Sequence, residues 1–168
     1  MDSTSLARQL LESVPANRSF GVHVLRADAT GAEVALELSS AHENVIGSLH
    51  SSGLIALIDA AGLAALIGSC RAEDEFEGLT PLGTTASLQF LAPARGRLVA
   101  RCVLDSFERH AVRELLERRV RKEELETYVE VVDRDETVVC RGRFTWKVRR
   151  AHAPGTNGAH SDLDHARR

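Results

Sequence analysis

Hydrophobic positions first recur at helical spacing in Ser5–Val14 (SLARQLLESV), where Leu6, Leu10, Leu11 and Val14 share a face and Pro15 ends the pattern. From Gly21 the period drops to two. GVHVLRAD, a turn at Thr30–Gly31 and AEVALELS together predict an antiparallel hairpin. Ser39–Ser48 is polar and predicts a loop. After Ser52 the stretch NVIGSLHSSGLIALIDAAGLAALIG (Asn44–Gly68) turns almost wholly apolar. Leu54, Ile55, Leu57, Ile58, Leu63, Leu66 and Ile67 occupy every side of it, which predicts a helix buried all round. Gly, Ser and Asp interrupt the run too often for a membrane span. Ser51 and Ser52 are favoured N-cap residues, so the helix is expected to start there with free N–H groups and the positive end of its dipole.

The second half reads mostly as strands. RAEDEFEG predicts a charged, solvated loop, TTASLQFL (Thr84–Leu91) alternates like a strand, and Pro93 with Gly96 makes the next turn. Arg97–Asp105 is a further strand. In ERHAVRELLERRVRKEELE, Val112, Leu115, Leu116 and Val120 share one helical face, predicting an amphipathic helix inserted between strands. Tyr128–Val132 and Thr137–Arg149 are two more strands, joined near Asp133–Glu136. Residues 1–150 are therefore expected to form one domain, with an N-terminal helix at 5–14. Residues 151–168 lack apolar pattern and predict a disordered tail whose His152, His160 and His165 are too irregularly spaced for a metal site. One apolar helix among antiparallel strands is an α+β arrangement, in which a single sheet has to wrap the helix to hide it.

Composition narrows the class further. Hydrophobic residues at 43% and charged residues at 27% are ordinary for a globular protein, and 168 residues suffice for a sizeable core. A formal net charge of −3 gives no reason to expect nucleic acid as the partner. Cys70, Cys102 and Cys140 are an odd number at wide spacing with no C-x-x-C pair. They predict buried reduced thiols in a cytoplasmic protein rather than a zinc site or disulfides. No targeting segment is visible at the start.

Asp59 is the sole ionisable residue of Ser51–Gly68, and a lone carboxylate in a buried helix is costly unless it is paired, hydrogen-bonded or kept for chemistry. Upstream stands Asn44-x-x-Gly47-x-x-His50-Ser51-Ser52, with Asp59 eight residues after Ser51. This spacing resembles the Asn, Gly, His-Gly-Gly and Asp signature of hotdog-fold acyl-CoA thioesterases, with the phenylacetate-pathway type as the nearest likeness. TTASLQFLAPARGRLVA resembles the family's segment after the helix, and the likeness spans most of Phe20–Arg149. The resemblance implies an antiparallel sheet wrapped around one long helix, and a hydrolase of acyl-CoA or acyl-carrier-protein thioesters. It implies no metal and no cofactor, coenzyme A being a portion of the substrate. It implies Asp59 as nucleophile or as the base that activates water, and the Ser51 backbone N–H as the oxyanion donor. Asn44 and His50 would orient the thioester or water. Ser52, Gly53, Thr84, Thr85, Arg95 and Arg97 would contact the substrate, the arginines through its phosphates. Two departures stand out: serines replace the family's usual glycines at 51 and 52, and the helix near 106–120 lies where the family has a short turn.

Geometry adds an independent expectation. Ser51 and Asp59 on one helix are roughly 12 Å apart, so they cannot serve one carbonyl carbon. A shared site needs two copies related by a two-fold axis, as a homodimer or a dimer of dimers. Plainer readings stand beside this one: Ser51 and Ser52 as caps, Asn44 bonding its own loop, Arg95 and Arg97 as a solvated turn. The rival functions are a non-catalytic acyl-thioester binding protein and a 3-hydroxyacyl thioester dehydratase, whose usual His and carboxylate spacing is not met. No G-x-S-x-G elbow supports a Ser–His–Asp triad.

Overall fold

In the computed structural model, which describes residues 2–151, the central apolar stretch is one helix, α3 (Ser51–Gly68). The strands β1 (His23–Asp28), β2 (Gly31–Glu37), β3 (Leu79–Phe90), β4 (Arg97–Val103), β5 (Lys122–Val132) and β6 (Val138–Arg150) wrap it. They form one antiparallel sheet in the order β1-β2-β4-β5-β6-β3. Three further helices, α1 (Ser3–Leu11), α2 (Pro15–Phe20) and α4 (Ser106–Leu116), complete an α+β hotdog fold. By length and composition α3 could cross a membrane, yet most of it is buried within the protein, as suits a core helix.

Small residues let α3 approach the sheet closely. Gly62 lies over Trp146 and Thr127, and a Cβ there would come within 2.7 Å of Thr127 Oγ1. Trp146 is fully buried, donates to Thr127 Oγ1 at 2.9 Å and stacks on Phe144. At the far end, Gly68 meets backbone: a Cβ would stand 2.6 Å from Asp28 N and 2.8 Å from Ala27 C. The helix is not hidden on every side, however. Ser51, Ser52 and Ile55 are exposed, and Ala56, Asp59 and Leu63 are half-buried. The six strands together with α1 and α2 cover the rest of the helix and leave this stripe uncovered by the described residues.

The two edges of the sheet are treated differently. Along β1, side chains of the first helical stretch replace a strand. Thr4 Oγ1 accepts from Ala27 N at 3.0 Å and donates to Ala27 O at 3.1 Å. Glu12 accepts from Val24 N, and Arg8 donates to the carbonyls of Val24 and Leu25. Along β3, no described residue bonds the outer edge.

Several boundaries depart from the sequence pattern. The first helix runs Ser3–Leu11 rather than 5–14, capped by Glu12, and Pro15 does not end it but opens α2, because proline fits the first helical position without loss of a needed N–H. The charged stretch after α4 is not helix. Arg118 turns left-handed at φ 62°, and β5 starts at Lys122 with Leu125, Thr127, Val129 and Val131 facing inward. Its outward glutamates pair across the sheet with Lys147, Arg143 and Arg141. Charge density alone does not separate such a strand from a solvated helix. RAEDEFEG is likewise more than a solvated loop. Glu75 is half-buried against Arg113 at 3.2 Å, and Arg150 donates to the carbonyls of Glu75, Glu77 and Leu115. The tail from His152 onward lies outside the described residues.

Replacing Gly68 by alanine should destabilise the fold by about 1–3 kcal/mol, because the added carbon meets β1 backbone that cannot step aside. Denaturant unfolding measures this, and an unchanged midpoint would show that α3 does not dock so closely.

Candidate active site

The loop before α3 is tied at both ends. Asn44 Oδ1 accepts from the N–H groups of Ile46 and Ser48, each at 3.1 Å, and Asn44 N donates to Ser48 O. The chain reverses at Gly47, whose φ of 66° suits glycine. Buried Ser48 accepts from Ala94 N at 2.9 Å through its hydroxyl. Arg95 donates to the carbonyls of Gly47 and Ile46 at 3.1 and 3.0 Å. Asn44 Oδ1 and Arg95 therefore serve the loop itself, and the Asn44 amide Nδ2 is the part left without a partner among the described residues.

The cap of α3 is His50, not a serine. Its Nδ1 accepts from Ser52 N at 3.2 Å and lies 2.8 Å from Ser52 Oγ. A nitrogen two residues upstream reaches the first-turn N–H groups as a serine oxygen would. Gly53 N is already bonded to His50 O, and the Gly53 Cα packs on Leu49, so this glycine serves packing rather than the cavity. What remains is the N–H of Ser51, the one first-turn amide with no acceptor among the described residues. It sits at the positive end of the helix dipole.

Asn44, His50 and Ser51 line one cavity of about 530 Å³, with Ile46, Leu54, Phe90, Leu91 and Pro93 as its apolar wall. Sequence pattern does not mark this wall. Phe90 and Leu91 are adjacent, so one strand face cannot bury both, and each is exposed here. Asp59 lies two turns along α3 and is not part of this lining. Its carboxylate has no hydrogen-bond or ionic partner among the described residues, and burial pushes its pKa up to about 6. Ser52 is engaged with His50. Thr84, the extra residue of a bulge in β3, donates to Thr145 O at 3.2 Å, whereas Thr85 pairs with Thr145 on the outer face of the sheet. Arg97 is exposed and has no ionic partner among the described residues. The chain thus gathers Asn44, His50 and Ser51 around one cavity, whose lining does not include Asp59, Thr85 or Arg97.

A larger cavity of about 680 Å³ lies on the outer sheet face, between Val103, Tyr128 and three arginines. Arg101, Arg141 and Arg143 are each already paired with a glutamate there, so the space offers no unspent charge. The cysteines are no better as nucleophiles: burial pushes Cys70 and Cys102 up to about 12 and Cys140 up to about 11. Among the described residues no group of His, Cys, Asp and Glu is arranged to hold a metal ion.

Residues 4–148 match a family described as a domain of unknown function, DUF4442. No curated protein matches the chain. Among solved structures, the chain is similar to a Pseudomonas aeruginosa protein of unknown function named a probable thioesterase. Identity is 23% and the TM-score 0.71, covering 88% of this chain and 96% of that one. It is also similar to a Haemophilus influenzae thioesterase at 18% identity and TM-score 0.63, covering 83% and 86%. Both likenesses show the fold.

Because the folded Asp59 holds its proton up to about pH 6 and the unfolded one releases it near 3.8, wild-type stability should fall as pH rises through that window. Asp59→Asn removes the charge, so at pH 8 it should be more stable than wild type by about 1–2 kcal/mol, a gap that shrinks at pH 5. Unfolding midpoints at the two pH values test this, and a gap independent of pH would show that Asp59 carries no buried charge.

Proposed function

We propose that this chain, which belongs to the DUF4442 family, is a thioester hydrolase acting on acyl-CoA or acyl-carrier-protein substrates. The observation that carries the reading is a pair of unspent groups on one apolar helix: the Ser51 N–H at its start and the Asp59 carboxylate two turns on. The first is a donor for a developing oxyanion, the second an acceptor for a proton or a nucleophile. Their separation of about 12 Å assigns them to one reaction only if they come from different copies. Three features of the described residues favour a two-fold homodimer: a β3 edge that none of them caps, an α3 stripe around Asp59 that none of them covers, and the exposed Leu82, Phe90 and Leu91. Pairing of such edges would cover the stripe and bring one copy's Ser51 toward its partner's Asp59.

In this reading the thioester carbonyl oxygen accepts from Ser51 N–H, and the Asn44 amide and His50 hold it or the attacking water. Asp59, ionised above about pH 6, either attacks the carbonyl carbon to form a mixed anhydride that water then hydrolyses, or takes a proton from the water that attacks; either way the carbon–sulfur bond breaks and coenzyme A leaves as its thiolate. The apolar wall of Ile46, Leu54, Phe90 and Leu91 suits the acyl group or the pantetheine arm. Arg97 is the cation offered to a substrate phosphate. The phenylacetate-pathway subtype rests on the motif likeness alone.

A panel of acetyl-, hexanoyl-, palmitoyl- and phenylacetyl-CoA with a thiol reagent tests the reading. Thiol release should be abolished by Asp59→Asn and should decline below about pH 6 in the wild type. Saturable binding without turnover would instead identify a thioester-binding protein, the role to which serines at 51 and 52 in place of glycines would point.

Ser51→Pro deletes the N–H at the helix position that proline tolerates best, after a residue whose ψ of 147° already suits a following proline. It should fold normally and lose about 10²- to 10³-fold in kcat. Mixing Ser51→Pro with Asp59→Asn after refolding should restore about a quarter of wild-type activity, because random pairing makes half the dimers mixed and each has one intact site. No recovery would overturn the shared site.

A further inference from the structure

We propose that Ser52 is a positioning residue that fixes the protonation pattern of His50, so that the ring meets the thioester as a hydrogen-bond donor and never as the base. The inference rests on the hydrolase reading for its catalytic consequence, but its structural core stands without it. Two groups converge on His50 Nδ1: Ser52 N at 3.2 Å and Ser52 Oγ at 2.8 Å. A backbone N–H only donates, so its contact favours a bare Nδ1, with the proton of the neutral ring carried by Nε2. The Ser52 hydroxyl then also donates to Nδ1, and the two contacts favour the same tautomer.

Nε2, across the ring, has no partner among the described residues, and His50 lines the cavity beside Asn44 and Ser51. The residue therefore faces substrate with an N–H, next to the unspent N–H of Ser51. Its single lone pair is occupied by the helix start, which leaves Asp59 as the acceptor for any proton. With a glycine at position 52 the backbone N–H would remain but the hydroxyl would be gone, and the ring would be free to rotate or exchange its proton. The serine that departs from the family pattern is, on this reading, the part that holds the histidine.

Nitrogen-15 NMR of the full-length, histidine-labelled protein reads the tautomer directly, with His50→Gln identifying the signal. Wild type should show a bare Nδ1 and a protonated Nε2 for His50. Ser52→Ala should shift the signals toward a tautomer mixture, and Ser52→Thr, which keeps the hydroxyl, should not. In hexanoyl-CoA hydrolysis, Ser52→Ala should lose about five- to ten-fold in kcat with little change in KM, restored by Ser52→Thr. A protonated Nδ1 in wild type, or an unchanged tautomer in Ser52→Ala, would overturn the proposal. Absence of turnover in every variant would count against the hydrolase reading only, since the tautomer is read without substrate.

Discussion

Burial of α3 is the constraint on which the rest of the structure depends. A helix that apolar has to be enclosed, and enclosure by a single sheet requires the two surfaces to approach closely. Ala60, Ala61, Ala64 and Ala65 are fully buried, and Gly62 and Gly68 remove even the methyl where Trp146 and the β1 backbone intrude. The bulk that fills the core is supplied by both partners, Trp146 and Phe144 from the sheet and Leu57, Ile58 and Ile67 from the helix. Hydrophobic burial of this kind, at about 25 cal/mol per Å², outweighs any one polar contact around it.

Enclosure by one sheet is incomplete, and the proposed chemistry arises from that incompleteness. The stripe that the strands, α1 and α2 leave open contains the helix's sole carboxylate, desolvated enough to raise its pKa but not satisfied by any described neighbour. At the helix start, a loop clamped by Asn44, Ser48 and Arg95 brings His50 in as cap and leaves the Ser51 N–H without an acceptor among the described residues. A polar group left unpaired in a folded core is usually costly, and half-buried Asp59 answers that cost by holding its proton up to about pH 6.

The same asymmetry marks the sheet. Side chains of Thr4, Arg8 and Glu12 take up the backbone groups of β1 and block strand addition there, while the outer edge of the twelve-residue β3 is bonded by none of the described residues. On the outer face, Arg101, Arg141 and Arg143 pair with Glu136 of the β5–β6 turn and with Glu130 and Glu126 of β5, so these charges offset one another.

Much of this was legible in the residues. A period of two marked the hairpin and the last two strands, and the apolar run marked the central helix with its bounds. The spacing of Asn44, His50 and Ser51 marked three residues that line one cavity at the helix start. Local pattern suffices there because periodicity and capping act within a few residues. Other features were decided only when distant segments met. The glutamates at 124 and 126 do not tell strand from helix until Lys147 and Arg143 stand opposite them. That Arg95 holds a loop, that Thr84 and Thr85 part at a bulge, and that a histidine rather than a serine caps α3 depend on which backbone atoms come within hydrogen-bond reach. Sequence determined the one helix that had to be buried; tertiary structure decided which side of it stayed open, because the number of strands available to cover it is a property of the whole sheet.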